Sequence, residues 1–102
     1  MMKAQHKFHA KPTENDGIKF ASKKEANYYQ SLKLMVRSGE VLFFLRQTPF
    51  HLPGSTKYVV DFTVFYANGT VEFIDVKGYV TPTCTLKVKQ VECLYPINIR
   101  YI

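Results

Sequence analysis

The sequence predicts one α/β (α+β) domain with the element order helix, three strands, helix, strand: a mixed central sheet flanked by helices. Three observations predict it. Apolar residues recur at three- and four-residue steps over 28–36, branched and aromatic residues crowd three stretches between 41 and 77, and a second helix-compatible stretch over 83–94 precedes an alternating tail. A chain of 102 residues supports one hydrophobic core, and 46% apolar content suits a folded globule and not a disordered chain.

Residues 1–16 are polar and basic, with Lys3, His6, Lys7, His9 and Lys11, and run into the turn signal Asn15-Asp16-Gly17. They are expected to form a partly disordered arm, with the domain proper over 17–102. The two histidines are better read as solvated than as half of a metal site. Ser22 suits a helix N-cap, and Glu25 three positions on completes the capping-box pattern. Tyr28, Tyr29, Leu32, Met35 and Val36 then define one buried face, and Gly39 suits the stop. Glu25 lies four residues before Tyr29, so it projects from the first turn of that face toward the protein. Strands are expected over 41–50, closed by Pro49 and Pro53, then over 58–66 and 71–77, the last two joined by a tight connection containing Asn68-Gly69. The second helix, Thr83 to Leu94, offers Leu86, Val88, Val91 and Leu94 for packing and stops at Pro96; Ile97 to Ile102 closes the chain as a strand.

Fourteen Lys and Arg against eight Asp and Glu give a formal charge of +6, which favours a polyanionic partner without demanding one. No apolar run is long enough to cross a bilayer and no secretion signal is legible, so a cytoplasmic protein with no membrane partner is expected. Cys84 and Cys93, nine residues apart in a helical stretch, cannot make a zinc site alone and are read as packing residues.

The chemistry lies in two acids inside apolar strands. Asp61 interrupts Tyr58-Val59-Val60-Asp61-Phe62, and Asp75 interrupts Phe73-Ile74-Asp75-Val76-Lys77. Aspartate is disfavoured in strands and a buried carboxylate is costly, so breaking local propensity twice marks a candidate site. Alternation puts Asp75 and Lys77 on one face. A two-residue turn at Asn68-Gly69 would set Phe62 against Asp75 and turn Asp61 away. A three-residue connection, Ala67-Asn68-Gly69 with the glycine left-handed, pairs Tyr66 with Thr70 and sets Asp61 opposite Asp75. We adopt the second register. Carboxylates that close repel unless a cation sits between them, and hard oxygen ligands suit Mg²⁺ or Mn²⁺. Such an ion activates water against a phosphodiester, Lys77 offsets charge in the transition state, and Glu25 completes the metal shell or touches it through water. The plain alternative is a surface ion pair between Asp75 and Lys77 beside an edge Asp61; Asp-x-Lys alone is weak, and the set of Glu25, Asp61, Asp75 and Lys77 carries the site.

With these residues in place the chain resembles the PD-(D/E)XK nuclease superfamily, whose restriction-endonuclease-like core runs α-β-β-β-α-β. More narrowly, 17–26 (Gly-Ile-Lys-Phe-Ala-Ser-Lys-Lys-Glu-Ala), 47–50 (Gln-Thr-Pro-Phe), Val60-Asp61-Phe62 and Asp75-Val76-Lys77-Gly78 look like a family of small phage endonucleases, long described as a domain of unknown function and compared with Holliday-junction resolvases. The likeness covers 17–102. It implies Mg²⁺ or Mn²⁺ held by Asp61, Asp75 and the Val76 backbone carbonyl, a catalytic Lys77, support from Glu25, and branched or duplex DNA as substrate. It also implies DNA contacts from Lys23 and Lys24 and from Lys87 and Lys89 of the second helix. A homodimer would suit paired strand cuts, and a phage-encoded enzyme would act in the host cytoplasm. Val60 stands where the superfamily has its proline, Asp75 where many members have Glu, and Ile74 where some relatives are expected to carry a second acid.

Two other classes of function stay open at this point. One is a non-catalytic DNA-binding or structural phage protein on the same fold. The other is a single-strand or RNA-binding module using Phe43, Phe44, Tyr58 and Tyr66 as stacking platforms, although aromatics at strand spacing are more often core.

Overall fold

A computed structural model describes residues 12–102. Lys3, His6, Lys7, His9 and Lys11 of the expected arm lie outside the described residues. The elements are β1 (Thr13–Asn15), β2 (Ile18–Phe20), α1 (Lys23–Ser38), β3 (Val41–Leu52), β4 (Thr56–Tyr66), β5 (Val71–Asp75), α2 (Pro82–Leu94) and β6 (Ile99–Tyr101). From α1 onward the order is helix, three strands, helix, strand. The main sheet runs β3-β4-β5-β6, antiparallel except for the parallel pair β5–β6, and β1–β2 form a separate antiparallel hairpin. Among the described residues no helix is long and apolar enough to cross a membrane.

The hairpin is a finding that the polar composition of 1–16 concealed. Asp16 and Gly17 both take positive φ, 53° and 75°, the conformation a two-residue hairpin turn needs. Asp16 then accepts from Tyr29 and pairs with Lys33, and Gln30 donates to Asn15, so α1 holds the hairpin down. Phe20 is buried beneath it.

Helix α1 begins as expected, the Ser22 side chain accepting from the Glu25 N–H at 3.0 Å. It ends at Gly39 in the left-handed conformation, φ 88°, whose N–H reaches back to the Met35 and Val36 carbonyls. Leu32 and Ala26 are fully covered; Tyr28, Tyr29 and Met35 are packed in part, and Val36 is exposed. In α2 only Val88 and Val91 of the four expected packing residues are buried, while Leu86 and Leu94 face outward. Cys84 is half-buried against the α2 core, as expected of a packing residue, but Cys93 is exposed.

Strand β3 does not stop at Pro49. It continues to Leu52, with Pro49 paired to Val59. As an edge strand it has a side with no ladder bonds to donate, and proline is tolerated there. Strand β5 is shorter than expected, ending at Asp75, although Lys77 N–H still donates to the Ile102 carbonyl.

The two helices cover opposite faces of the sheet. Ile74 packs with Leu32 and Ala26 of α1, and its strand neighbour Phe73 packs with the α2 group of Val88 and Val91. Within β3 and β4 the inward face changes partway along. Phe62 belongs to the α1 core but Val60, two residues away, to the α2 core. In β3, Arg46 lies over the Phe20 ring, whereas Thr48 bonds Thr63 on the other side. Both strands turn over at Gln47 and Asp61.

Candidate active site

The site forms where that turnover occurs. The β4–β5 ladder pairs Phe62 with Ile74, Thr63 with Phe73, Val64 with Glu72 and Phe65 with Val71, which continues to Asp61 opposite Asp75. Tyr66 N–H donates to the Thr70 carbonyl and Gly69 sits at φ 91°, so the connection is the three-residue form with a left-handed glycine. Asn68 Oδ1 accepts from both the N–H and the hydroxyl of Thr70 and fastens the turn.

Beyond Phe62 and Ile74 the backbone ladder stops and the two aspartates replace it. Asp61 N–H donates to Asp75 Oδ1 at 2.9 Å, and Val76 N–H donates to Asp61 Oδ2 at 2.9 Å. Each carboxylate therefore accepts from the opposite strand's main chain. The Val76 group seen engaged is its N–H.

Asp75 is fully buried, and its Oδ2 has no hydrogen-bond partner among the described residues. The nearest cation is Lys77 Nζ, 3.9 Å away. Burial pushes the Asp75 carboxyl above the ordinary range, against the Asp61 N–H and Lys77, which lower it. Glu25, also buried in the first turn of α1, is raised by burial and then by the neighbouring Asp61 charge, with Arg46 opposing. Its Oε2 lies 3.9 Å from Arg46 and 3.5 Å from Gln47 Nε2, and the same Gln47 nitrogen is 3.5 Å from Asp61 Oδ1. A pocket of about 310 Å³ opens over this cluster, bordered by Ser22, Glu25, Asp61, Val76, Lys77 and Thr81. A larger hollow, about 470 Å³, lies beside Glu72 and Arg100, whose charges are already paired at 2.8 Å.

All four predicted central residues thus meet in one place. The lysines divide. Lys23 and Lys24 are exposed in the turn of α1 that borders the pocket; on α2, Lys87 is half-buried and Lys89 exposed, and neither borders it. Of the aromatics considered as stacking platforms, Tyr58 is buried, Phe44 packs on Phe62, and Tyr66 donates to Glu72; Phe43 is exposed and stacked on Phe65. Arg46 was not singled out from sequence, and Gln47 only within the 47–50 stretch of the resemblance, with no role given to it. The available signal was a polar pair breaking the apolar run of β3.

Among the described residues no group of three or more His, Cys, Asp or Glu side chains is arranged to hold an ion. The residues that could hold one are Asp61 and Asp75. Mg²⁺ commonly takes one or two protein carboxylates and completes its shell with water and substrate phosphate, so this donor set fits a hard divalent ion. The unpartnered Asp75 Oδ2 is the atom such an ion would satisfy.

A family model described as "Protein of unknown function (DUF1064)" matches residues 5–102. No curated protein and no solved structure matches the chain.

Proposed function

The chain belongs to the DUF1064 family of proteins of unknown function, and we propose that it is a metal-dependent DNA endonuclease of the PD-(D/E)XK kind, hydrolysing phosphodiester bonds. The observation that carries this reading is that Asp61 and Lys77 line one pocket and Asp75 lies buried behind them, bonded to the Asp61 N–H, with a sealed carboxylate oxygen 3.9 Å from the lysine. Burial holds the carboxyls of Asp75 and Glu25 above their ordinary range, a cost that suits a functional site better than it serves stability.

Asp61 and Asp75 would hold Mg²⁺ or Mn²⁺, with Glu25 acting through water. When bound, such an ion would supply Lewis acidity and make water a better nucleophile. The chain's own residues do the rest. Asp75, 3.9 Å from Lys77 Nζ, holds that side chain at the pocket wall, where its ammonium would offset the charge that grows on the phosphoryl oxygens. Lys23 and Lys24, exposed between the pocket-lining Ser22 and Glu25, suit backbone phosphates on either side of the cut. Branched DNA in phage metabolism, within a host cytoplasm, is the setting we propose, with a symmetric pair of chains making paired cuts.

Supercoiled plasmid incubated with protein and Mn²⁺ or Mg²⁺ tests this. Wild type is expected to nick or linearise it, and Asp75→Asn and Lys77→Ala to fall at least about 100-fold. Equal cleavage by all three proteins, or none by wild type with either ion, overturns the proposal. Equal mobility shifts without cutting would instead favour the non-catalytic DNA-binding alternative.

A further inference from the structure

Positive φ is uncommon outside glycine, and of the described non-glycine residues with it, Asp16 and Ser55 lie in turns beside Gly17 and Gly54. Gln47, φ 56°, lies in the interior of β3. A left-handed residue within a strand is disfavoured and persists where its surroundings hold it. Here it does two things. It turns β3 over between Arg46 and Thr48, and it directs the Gln47 amide at the site, where Nε2 stands 3.5 Å from Glu25 Oε2 and 3.5 Å from Asp61 Oδ1. Glu25 comes from α1 and Asp61 from β4. Two ionised carboxylates have no proton to share, and the amide is the neutral donor set between them.

We infer that Gln47 is a positioning residue of this site, its amide holding the Glu25 and Asp61 carboxylates in the spacing that admits a divalent cation. The inference rests on the cation site proposed above but not on cleavage. Groups that orient a metal's ligands commonly cost about tenfold in affinity when removed, and this one acts while the ion is absent by bridging two like charges.

Two variants separate the amide from the backbone shape. Gln47→Gly keeps the left-handed conformation without steric cost and removes the amide. It is expected to melt at or above the wild-type Tm and to bind Mn²⁺ about tenfold more weakly by calorimetry of the metal alone. Gln47→Glu is nearly isosteric but cannot donate from the same atom. It is expected to lower the Tm of the metal-free protein, with saturating Mn²⁺ returning it toward wild type. Mn²⁺ affinity unchanged in Gln47→Gly, no Mn²⁺ binding by wild type, or a Gln47→Glu Tm equal to wild type in metal-free buffer overturns the inference. Wild-type protein that binds Mn²⁺ but leaves plasmid intact would sink the nuclease reading and leave this one standing.

Discussion

Burying a carboxylate costs free energy unless its charge is offset, and Asp75 meets that demand with one backbone N–H and a lysine 3.9 Å away. Glu25 has Arg46 and the Gln47 amide beside it, and the like charge of Asp61 works against them. Both carboxyls are held above the ordinary range, so through the acid region the folded chain keeps protons the unfolded chain has released. The stability this gives is present below the unfolded pKa values and is lost as pH rises through the raised folded ones. Asp75→Asn, which is never charged, should therefore match wild type in acid and exceed its Tm increasingly toward neutrality. Added Mn²⁺ should close the gap. Parallel melting profiles across that range would show that the buried charge imposes no strain. At this scale the sequence was informative for the acids and gave Gln47 no role, because an Asp among branched residues violates a propensity, whereas the polar pair Arg46-Gln47 carries no sign of the glutamine's φ.

Element by element, the turn chemistry was the most legible part. The left-handed glycine of the β4–β5 connection set the register, and with it the pairing of Asp61 with Asp75. A Cβ at Gly69 meets no atom, so its requirement is purely conformational. Gly69→Ala should destabilise by about 1–2 kcal/mol in chemical denaturation. Mn²⁺-dependent cleavage should persist, because the cross-strand carboxylate bonds hold the same register independently; a variant that folds normally but loses cleavage would show that the turn alone sets it. Strand ends were less legible. Three-residue strands such as β1 and β2 are too short to show alternation, and Pro49 reads as a stop unless the strand is known to lie at an edge.

Across the whole molecule, a reader of the sequence can find two apolar helix faces and an alternating sheet but not the point at which β3 and β4 exchange faces. That exchange depends on long-range packing of 48–60 against α2 and of 41–46 and 62–66 against α1, and the site lies at the junction. The formal charge of +6 belongs to this scale too. Binding to duplex or branched DNA, followed by fluorescence anisotropy, should weaken linearly in log[salt]. Replacing both Lys23 and Lys24 by Ala should lower that slope by about 2, uniformly across sequences. The same double change at Lys87 and Lys89 reports whether α2 touches phosphate as the resemblance implies. An unaltered slope in the α1 variant would remove those lysines from the DNA path.

The aspartates also act as rivets: each fastens the neighbouring strand through its own oxygen where the ladder has run out. A lineage that gave up catalysis would still be under pressure to keep an oxygen acceptor at each position, as Asp or Asn, since discarding either would loosen β4 from β5. Retention of such acceptors in a descendant is then poor testimony to an active enzyme. The lysine side chain at 77 fastens no strand, and its replacement would be the first sign of dormancy.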